Sequence, residues 1–129
     1  MSKLLLIVFS ILFFGNSYGI QLGNINVTSN QNSLFDAEIK VTLNQGEDIK
    51  KMNVSIASEE MYTSQGMQRK PIHSDMSIAF IDTNIDDIKL ALKSTKPVKE
   101  SFIDLLLQIE SPKGKIFKEY TVILDAPLP

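Results

Sequence analysis

The sequence lacks cysteine and tryptophan and has a single histidine among its 129 residues. Without cysteine the chain can form no disulfide and no thiolate metal site, and it cannot carry the lipid-modified cysteine that anchors a bacterial lipoprotein. Charged residues make up 22% of the chain and its net charge is −2, with no long run of either sign, so nothing favours nucleic acid or an anionic membrane surface as a partner. We expect a domain that is stable through packing alone.

Long hydrophobic runs are also scarce, and the one at the N-terminus is too short to span a bilayer. Leu4 to Phe14 is almost entirely apolar, follows Lys3 and precedes small and polar residues that end at Gly19. A spanning helix needs about 20 apolar residues, roughly twice this length. The order of charge, apolar run and small residues predicts a secretory signal peptide over residues 1–19, cleaved between Gly19 and Ile20. The alternative is an uncleaved anchor.

The remainder, residues 20–129, reads as one domain made mainly of β-strands. Apolar and polar residues alternate strictly from Phe35 to Leu43, which predicts a strand with one solvated face. Shorter alternating segments follow at Met52–Ile56, Met76–Phe80 and Ile88–Lys93.

Two local irregularities are predicted within this pattern. Ile20 and Leu22 alternate in one phase and Ile25 and Val27 in the other, so a bulge at Gly23 would return all four to one face. Farther along, a capping serine is followed by two acids at 58–60, which predicts a short helix before residue 66.

Residues 102–109 are ambiguous, because the apolar positions 102, 105, 106 and 109 also fit a helical face. The flanking residues favour a strand. Pro112 and Gly114 stand where a tight turn requires them, and the β-rich segment Ile116–Leu124 follows as a return strand. We therefore predict a hairpin here, and overall an all-β fold: an antiparallel, immunoglobulin-like β-sandwich of about seven strands with one short helix.

The sole histidine is the first place to look for catalysis. His73 lies beside Ser74 and Asp75, the residue types of a hydrolase triad. Three adjacent residues cannot serve as nucleophile, base and orienter, and the chain has no glycine-flanked serine elbow. We interpret His73 as a solvent-exposed loop residue and predict no enzymatic activity and no cofactor.

Metal binding is the second possibility, and Asp82, Asp86 and Asp87 are its candidates because Ca²⁺ prefers oxygen ligands. The ligand spacing and central glycine of an EF-hand are absent. A plain solvated turn between two strands is the favoured interpretation, so we predict no metal site.

Three stretches of the chain carry a family resemblance. They are SNQNSLFDAEI at 29–39, KPVKESFIDLL at 96–106 and PKGKIFKEYTVILDAP at 112–127. In order and spacing they resemble the N-terminal periplasmic domain of the FimV family, over nearly all of the chain after residue 19. The resemblance implies a Gram-negative envelope protein. In relatives this domain precedes a peptidoglycan-binding LysM module, a membrane helix and cytoplasmic repeats, and these proteins act as polar scaffolds for type IV pili and related secretion machinery.

The chain departs from the family pattern in three ways. We expect it to end at Pro129, without a wall-binding module, anchor or cytoplasmic arm; it has Ser111 where relatives usually carry tryptophan; and it has Leu34 where proline is frequent. An exposed aromatic at the hairpin tip would be a natural contact, so its absence puts partners bound through that tip in doubt.

The residues that carry the resemblance are interpreted as structural. They are Asp36, Ala37, Glu38, Lys96, Pro97, Phe102, Pro112, Gly114, Glu119 and Tyr120. We expect Phe102, Tyr120 and Ala37 in the core, the prolines and the glycine in turns, and the charged residues on solvated strand faces.

The resulting functional prediction is a non-enzymatic, periplasmic accessory or scaffold domain without a membrane anchor after cleavage. Its partner would be another envelope protein, in type IV pilus or secretion-system assembly, bound through a sheet edge. The alternative is a periplasmic module that binds cell-wall glycan or a metal ion, for which exposed aromatic rings or converging acids would be needed.

Overall fold

The structure is a computed structural model that describes residues 20–44, 46–82 and 86–127, with the side chain of residue 82 excepted. The predicted signal peptide and Gly19, on the leader side of the predicted cleavage point, lie outside these residues. In the described part of the chain, no helix is long and apolar enough to cross a membrane.

Seven strands account for most of the described residues. They are β1 (Ile20–Val27), β2 (Leu34–Leu43), β3 (Asn53–Ile56), β4 (Met76–Asp82), β5 (Ile88–Pro97), β6 (Phe102–Ser111) and β7 (Gly114–Ile123). Two short helices, α1 (Glu59–Ser64) and α2 (Pro71–Ser74), lie between β3 and β4, and a 3₁₀ turn covers Ile49–Lys51. Each strand predicted from alternation is present, and β5 extends four residues beyond its predicted end.

The strands form two antiparallel sheets with the orders β1-β2-β5-β4 and β3-β6-β7. In chain order these are the A-B-E-D and C-F-G sheets of a constant-type immunoglobulin domain. The predicted fold class is confirmed, although the described residues contain two short α-helices where one was predicted.

The core fills the space between the sheets and comes from alternate residues of the long strands. Its fully or nearly fully buried members include Phe35, Ala37, Ile39, Leu90, Leu92, Ile103, Leu105, Leu107 and Tyr120. Because strand side chains alternate between faces, the intervening residues of each strand point outward.

The predicted bulge is present, since the register of β1 against β2 shifts between Leu22 and Ile25. As a result, all four apolar residues of β1 pack against the core. A second irregularity lies between β2 and β5, where buried Ser94 accepts a hydrogen bond from the Phe35 N–H at 2.7 Å and donates one to the Lys96 carbonyl at 2.6 Å.

The predicted helix and the ambiguous stretch both follow the sequence prediction. The Ser58 hydroxyl accepts from the Met61 N–H at 3.3 Å and caps α1. Residues 102–109 belong to β6, which turns into β7 through Pro112 and Lys113, so that Ser111 pairs with Gly114. Gly114 has φ +136°, a conformation that side-chain-bearing residues rarely adopt.

Candidate functional site

The two outer strands of the three-stranded sheet leave β6 covered to different extents. β3 is four residues long and pairs only with positions 107–110 of β6, a strand of ten residues. One more backbone hydrogen bond, from the Ala57 N–H to the Leu106 carbonyl at 2.8 Å, continues the contact. At Leu106 and Asp104, the backbone polar groups of β6 on this side meet the connection between β3 and β4 instead of a strand.

Side chains of that connection take the place of the missing strand. The Tyr62 hydroxyl accepts from the Leu106 N–H at 2.9 Å, and His73 Nε2 donates to the Asp104 carbonyl at 2.7 Å. Both side chains are buried, with exposed fractions of 0% and 2%, and their ring centroids lie 5.0 Å apart. Tyr62 and His73, which we call the edge cap, therefore satisfy backbone groups that would otherwise be buried without partners.

The hydrogen bonds of His73 define its tautomer. Nδ1 accepts from the Lys70 N–H at 2.8 Å, so the proton must be on Nε2, where it is donated to Asp104. Burial lowers the pKa of His73, although the bond to the Asp104 carbonyl acts in the opposite direction. Burial also raises the pKa of Tyr62. His73 is therefore a neutral structural residue near pH 7.

The expectation that His73 is solvent-exposed is wrong, because its ring is buried against β6 and forms hydrogen bonds with backbone groups there and at Lys70. The neighbouring hydroxyl is also engaged, since Arg69 donates to Ser74 Oγ at 3.1 Å and to the Ala57 carbonyl at 3.1 Å. With both imidazole nitrogens bonded to backbone, His73 does not pair with Ser74 as base and nucleophile.

A small cleft of about 130 Å³ lies next to the edge cap, with Lys70, Glu100 and Phe102 in its walls. Ligand pockets for organic molecules are usually of roughly 300 Å³ or more. This cleft has space for one side chain or a few waters, which makes it a poor candidate for a substrate site.

The proposed calcium ligands receive no support. Among the residues that the structure describes, no group of three or more histidine and acidic side chains converges. Asp86 and Asp87 immediately precede β5, whereas the side chain of Asp82 and residues 83–85 lie outside the described part.

Phe102 differs from its prediction, because it lies on the outer face of β6 with 48% of its surface exposed. Its cross-strand partner is Ile123, which is 78% exposed, and Lys70 Nζ lies 5.5 Å from the centre of the Phe102 ring. The core prediction for Phe102 is therefore wrong. The residues that do face the core are Ile103, Leu105, Leu107 and Ile109, whose shared phase excludes Phe102.

A second exposed ring on this face is Phe117, which is 38% exposed. It pairs with Gln108, far along the hairpin from the pair of Phe102 and Ile123. The two rings therefore do not form the aromatic cluster that glycan binding would need.

The other family-motif residues are spread over both sheets and form no single site. Ala37 is buried between Asp36 and Glu38, which point away from the core, and Glu38 lies 3.9 Å from Lys89 across the sheet. Lys96 and Pro97 end β5, where Pro97 pairs with Leu34, so the prediction of a turn at Pro97 is wrong. Pro112 and Gly114 lie at the hairpin turn as predicted.

The last two motif residues, Glu119 and Tyr120, are neighbours on β7. Glu119 is exposed, whereas Tyr120 is buried and its hydroxyl donates to the Gly23 carbonyl at 2.6 Å. Tyr120 and Ala37 are core residues as predicted. The solvated positions of Asp36, Glu38 and Glu119 are confirmed as well.

Sequence reasoning missed Tyr62 and Ile123 as residues of interest. The phase of β7 could have identified Ile123, since buried Tyr120, Val122 and Leu124 alternate with it. Nothing local to Tyr62 indicates that it completes a strand that is distant in sequence.

Comparison with known proteins finds a matching family and similar proteins. The family described as FimV N-terminal domain Ig-like domain matches residues 20–127. The chain is also 33% identical over 123 residues to the motility hub protein FimV from two strains of Pseudomonas aeruginosa. This match covers 92% of the chain but only 13% of those relatives, so the chain spans a small part of their length.

Among solved structures, the chain is similar to the BIgI domain of the beta protein from S. agalactiae bound to CEACAM1. The TM-score is 0.45 and the sequence identity 16%, covering 84% of this chain and 99% of that chain.

Proposed function

Because this chain belongs to the FimV N-terminal domain family, we propose that it is a non-enzymatic periplasmic domain that binds another envelope protein in type IV pilus or secretion-system assembly. The observation that carries this proposal is the family match over residues 20–127 together with the similarity to a motility hub protein. The predicted signal peptide supports export.

The polar chemistry of the fold supports a binding role. His73 donates a hydrogen bond to the Asp104 carbonyl, and Arg69 donates one to the hydroxyl of the adjacent Ser74. The three-stranded sheet also presents an exposed apolar pair on its outer face, the cross-strand neighbours Phe102 and Ile123. Exposed aromatic and aliphatic side chains of this kind serve as anchors in protein interfaces.

The proposal places the partner contact on that pair. Phe102 offers a ring with Lys70 above it, and Ile123 is more exposed than any of the other large apolar side chains found at the surface of the described residues. Together they form an apolar spot bordered by charge, which is the usual arrangement of an interface core and rim.

Site-specific photocrosslinking in the native host tests this function. A photoreactive amino acid at position 102 or 123 should capture an envelope protein of the pilus or secretion machinery. The same amino acid at exposed Lys40, on the outer face of the other sheet, is the matched control and should capture much less. The periplasmic form should begin at Ile20 by mass spectrometry.

A deletion strain provides the functional readout. Loss of the gene should impair pilus-dependent motility or secretion, and the wild-type chain should restore it better than an Ile123→Asp variant of equal abundance. Normal pili and secretion in the deletion strain, with no envelope protein captured, would overturn the proposal.

A further inference from the structure

Strand β7 is an edge of the three-stranded sheet, and its hydrogen-bonding pattern shows which residues face outward. The Leu124 N–H donates to the Ser101 carbonyl at 2.8 Å, one step beyond the pair of Phe102 and Ile123. Bonded and non-bonded pairs alternate along an antiparallel ladder. The pair of Phe102 and Ile123 is therefore non-bonded, and so is every second pair from there along β7. Lys115, Phe117 and Glu119 belong to such pairs, so their N–H and C=O groups point away from β6.

The space beside this edge is open. A cleft of about 370 Å³ separates Ile20–Leu22 of β1 from Ile116–Lys118 of β7. β1 reaches β7 at the hydrogen bond between the Tyr120 hydroxyl and Gly23, beyond one end of the cleft. The outward groups around Phe117 are therefore accessible to another strand.

The outward residues have a self-complementary order. Lys115, Phe117 and Glu119 share the outer face of the sheet, with the ring between a cation and an anion. If a second β7 runs antiparallel about a two-fold axis at Phe117, each Lys115 lies opposite a Glu119 and the two rings lie together. Cross-strand pairs of opposite charge and of aromatic rings both stabilise a sheet.

Other registers within β7 lack this match. An axis at Glu119 places two carboxylates opposite each other, and an axis at Lys115 places two ammonium groups opposite each other. Both arrangements are unfavourable, because like charges repel across a strand pair. An axis at Lys118 opposes the two lysines at that position. Only the register centred on Phe117 pairs both charges within the strand.

We propose that two copies of this chain associate through β7 in that register and form a continuous six-stranded antiparallel sheet. The interface is isologous, as the two-fold axis requires. It is short, so the dimer is weak and assembles at high local concentration.

Lys118 does not block this edge. Lysines on edge strands usually discourage pairing by placing charge beside the backbone. Here Lys118 Nζ lies 5.7 Å from the centre of the Tyr120 ring, so the side chain extends along its own strand.

Charge reversal in residues 20–129, which contain all seven strands, tests the proposal by analytical ultracentrifugation from about 10 μM to 1 mM. The wild-type chain should dimerise within this range. Glu119→Lys or Lys115→Glu alone should raise the dissociation constant by about tenfold or more, because each creates two like-charge pairs. The double variant, with both charges exchanged, should dimerise like the wild type.

Lys40→Glu is the matched control, since it reverses an exposed charge on the opposite sheet and should leave the dissociation constant unchanged. Circular dichroism checks that every variant is folded. A wild-type chain that stays monomeric at 1 mM, or a double variant that is as weak as the single variants, would overturn the proposal. Partner capture in the envelope is a separate measurement, so failure of one proposal is distinguishable from failure of the other.

Discussion

The two sides of the three-stranded sheet solve the same problem differently. On the β3 side, the edge cap of Tyr62 and His73 closes the unpaired part of β6 with buried side-chain hydrogen bonds. On the β7 side, no strand of the described residues pairs with the outer edge, and Lys115 and Glu119 flank it with charge. Proteins protect a sheet edge by covering it, by placing charge on it or by pairing it with another strand. In this domain the β3 side is covered and the β7 side carries charge.

The difference separates stability from interaction. Groups of the edge cap are out of water, so losing any of them leaves a buried partner unsatisfied. The exposed side chains of β7 are solvated, so changing them should alter association but should hardly change the free energy of unfolding. Mutations on the two sides should therefore differ in the quantity they change.

Removing Tyr62 is expected to have the largest effect. Tyr62→Ala should lower the free energy of unfolding by about 3–5 kcal/mol, because it deletes a fully buried ring from the small cluster with Ala57 and Leu106. Tyr62→Phe isolates the hydroxyl and should cost about 1–3 kcal/mol, since the Leu106 N–H loses its acceptor. Urea denaturation followed by circular dichroism measures both.

Tyr120→Phe is the matched control on the β7 side. Its hydroxyl donates to the carbonyl of Gly23, an exposed residue, so we expect water to replace the lost donor and the loss to be smaller than for Tyr62→Phe. If both Tyr→Phe substitutions lowered the free energy of unfolding equally, the distinction between the β3 side and the β7 side would be contradicted.

His73 should make stability depend on pH. Its folded-state pKa is lowered from about 6.5, so between that lowered value and pH 6.5 the unfolded chain binds more protons than the folded chain. Stability from this residue is thus fully present above pH 6.5 and falls as the pH decreases through this window. Urea midpoints between pH 5 and 8 measure the slope.

His73→Leu should flatten this slope and cost about 1–3 kcal/mol at pH 7.5, because the Lys70 N–H loses its acceptor and the Asp104 carbonyl is left with the longer bond, of 3.4 Å, from the Tyr62 hydroxyl. Since His73 is the sole histidine, no other imidazole can supply the pH dependence. An unchanged slope in His73→Leu would show that carboxylates, and not the edge cap, cause it.

The helix cap has an intermediate effect. Ser58→Ala removes the acceptor for the Met61 N–H at the start of α1, the helix that carries Tyr62. The expected loss is about 1 kcal/mol. Ser58→Asp keeps an acceptor there and should retain most of the stability, so equal losses for both substitutions would rule out capping as the cause.

Charge reversal on β7 should have the smallest effect on stability. Glu119→Lys should change the unfolding free energy of the monomer by less than about 0.5 kcal/mol, because the side chain is exposed. Denaturation at low protein concentration measures it. A loss of several kcal/mol would mean that the open edge contributes to the fold itself.

Much of this architecture follows from the sequence. Alternation predicted the strands up to β5, and the phase break at Gly23 predicted the bulge. Ser58 marked the helix start, and Pro112 and Gly114 marked the turn between β6 and β7, which decided the ambiguous stretch in favour of a strand. These signals are local, because side-chain direction in a strand depends only on position along the chain. The family resemblance rested on the same ordered segments.

Only the tertiary structure decided what each face meets. His73 is buried because β3 ends early and leaves part of one side of β6 without a strand, and this depends on residues 31 positions apart. Phe102 is exposed because its strand phase places it on the outer face, where the Lys70 ammonium lies over the ring without burying it, although its residue type favours burial. Alternation assigns a residue to a face, whereas burial requires a second element to cover that face, and the covering element is remote in sequence.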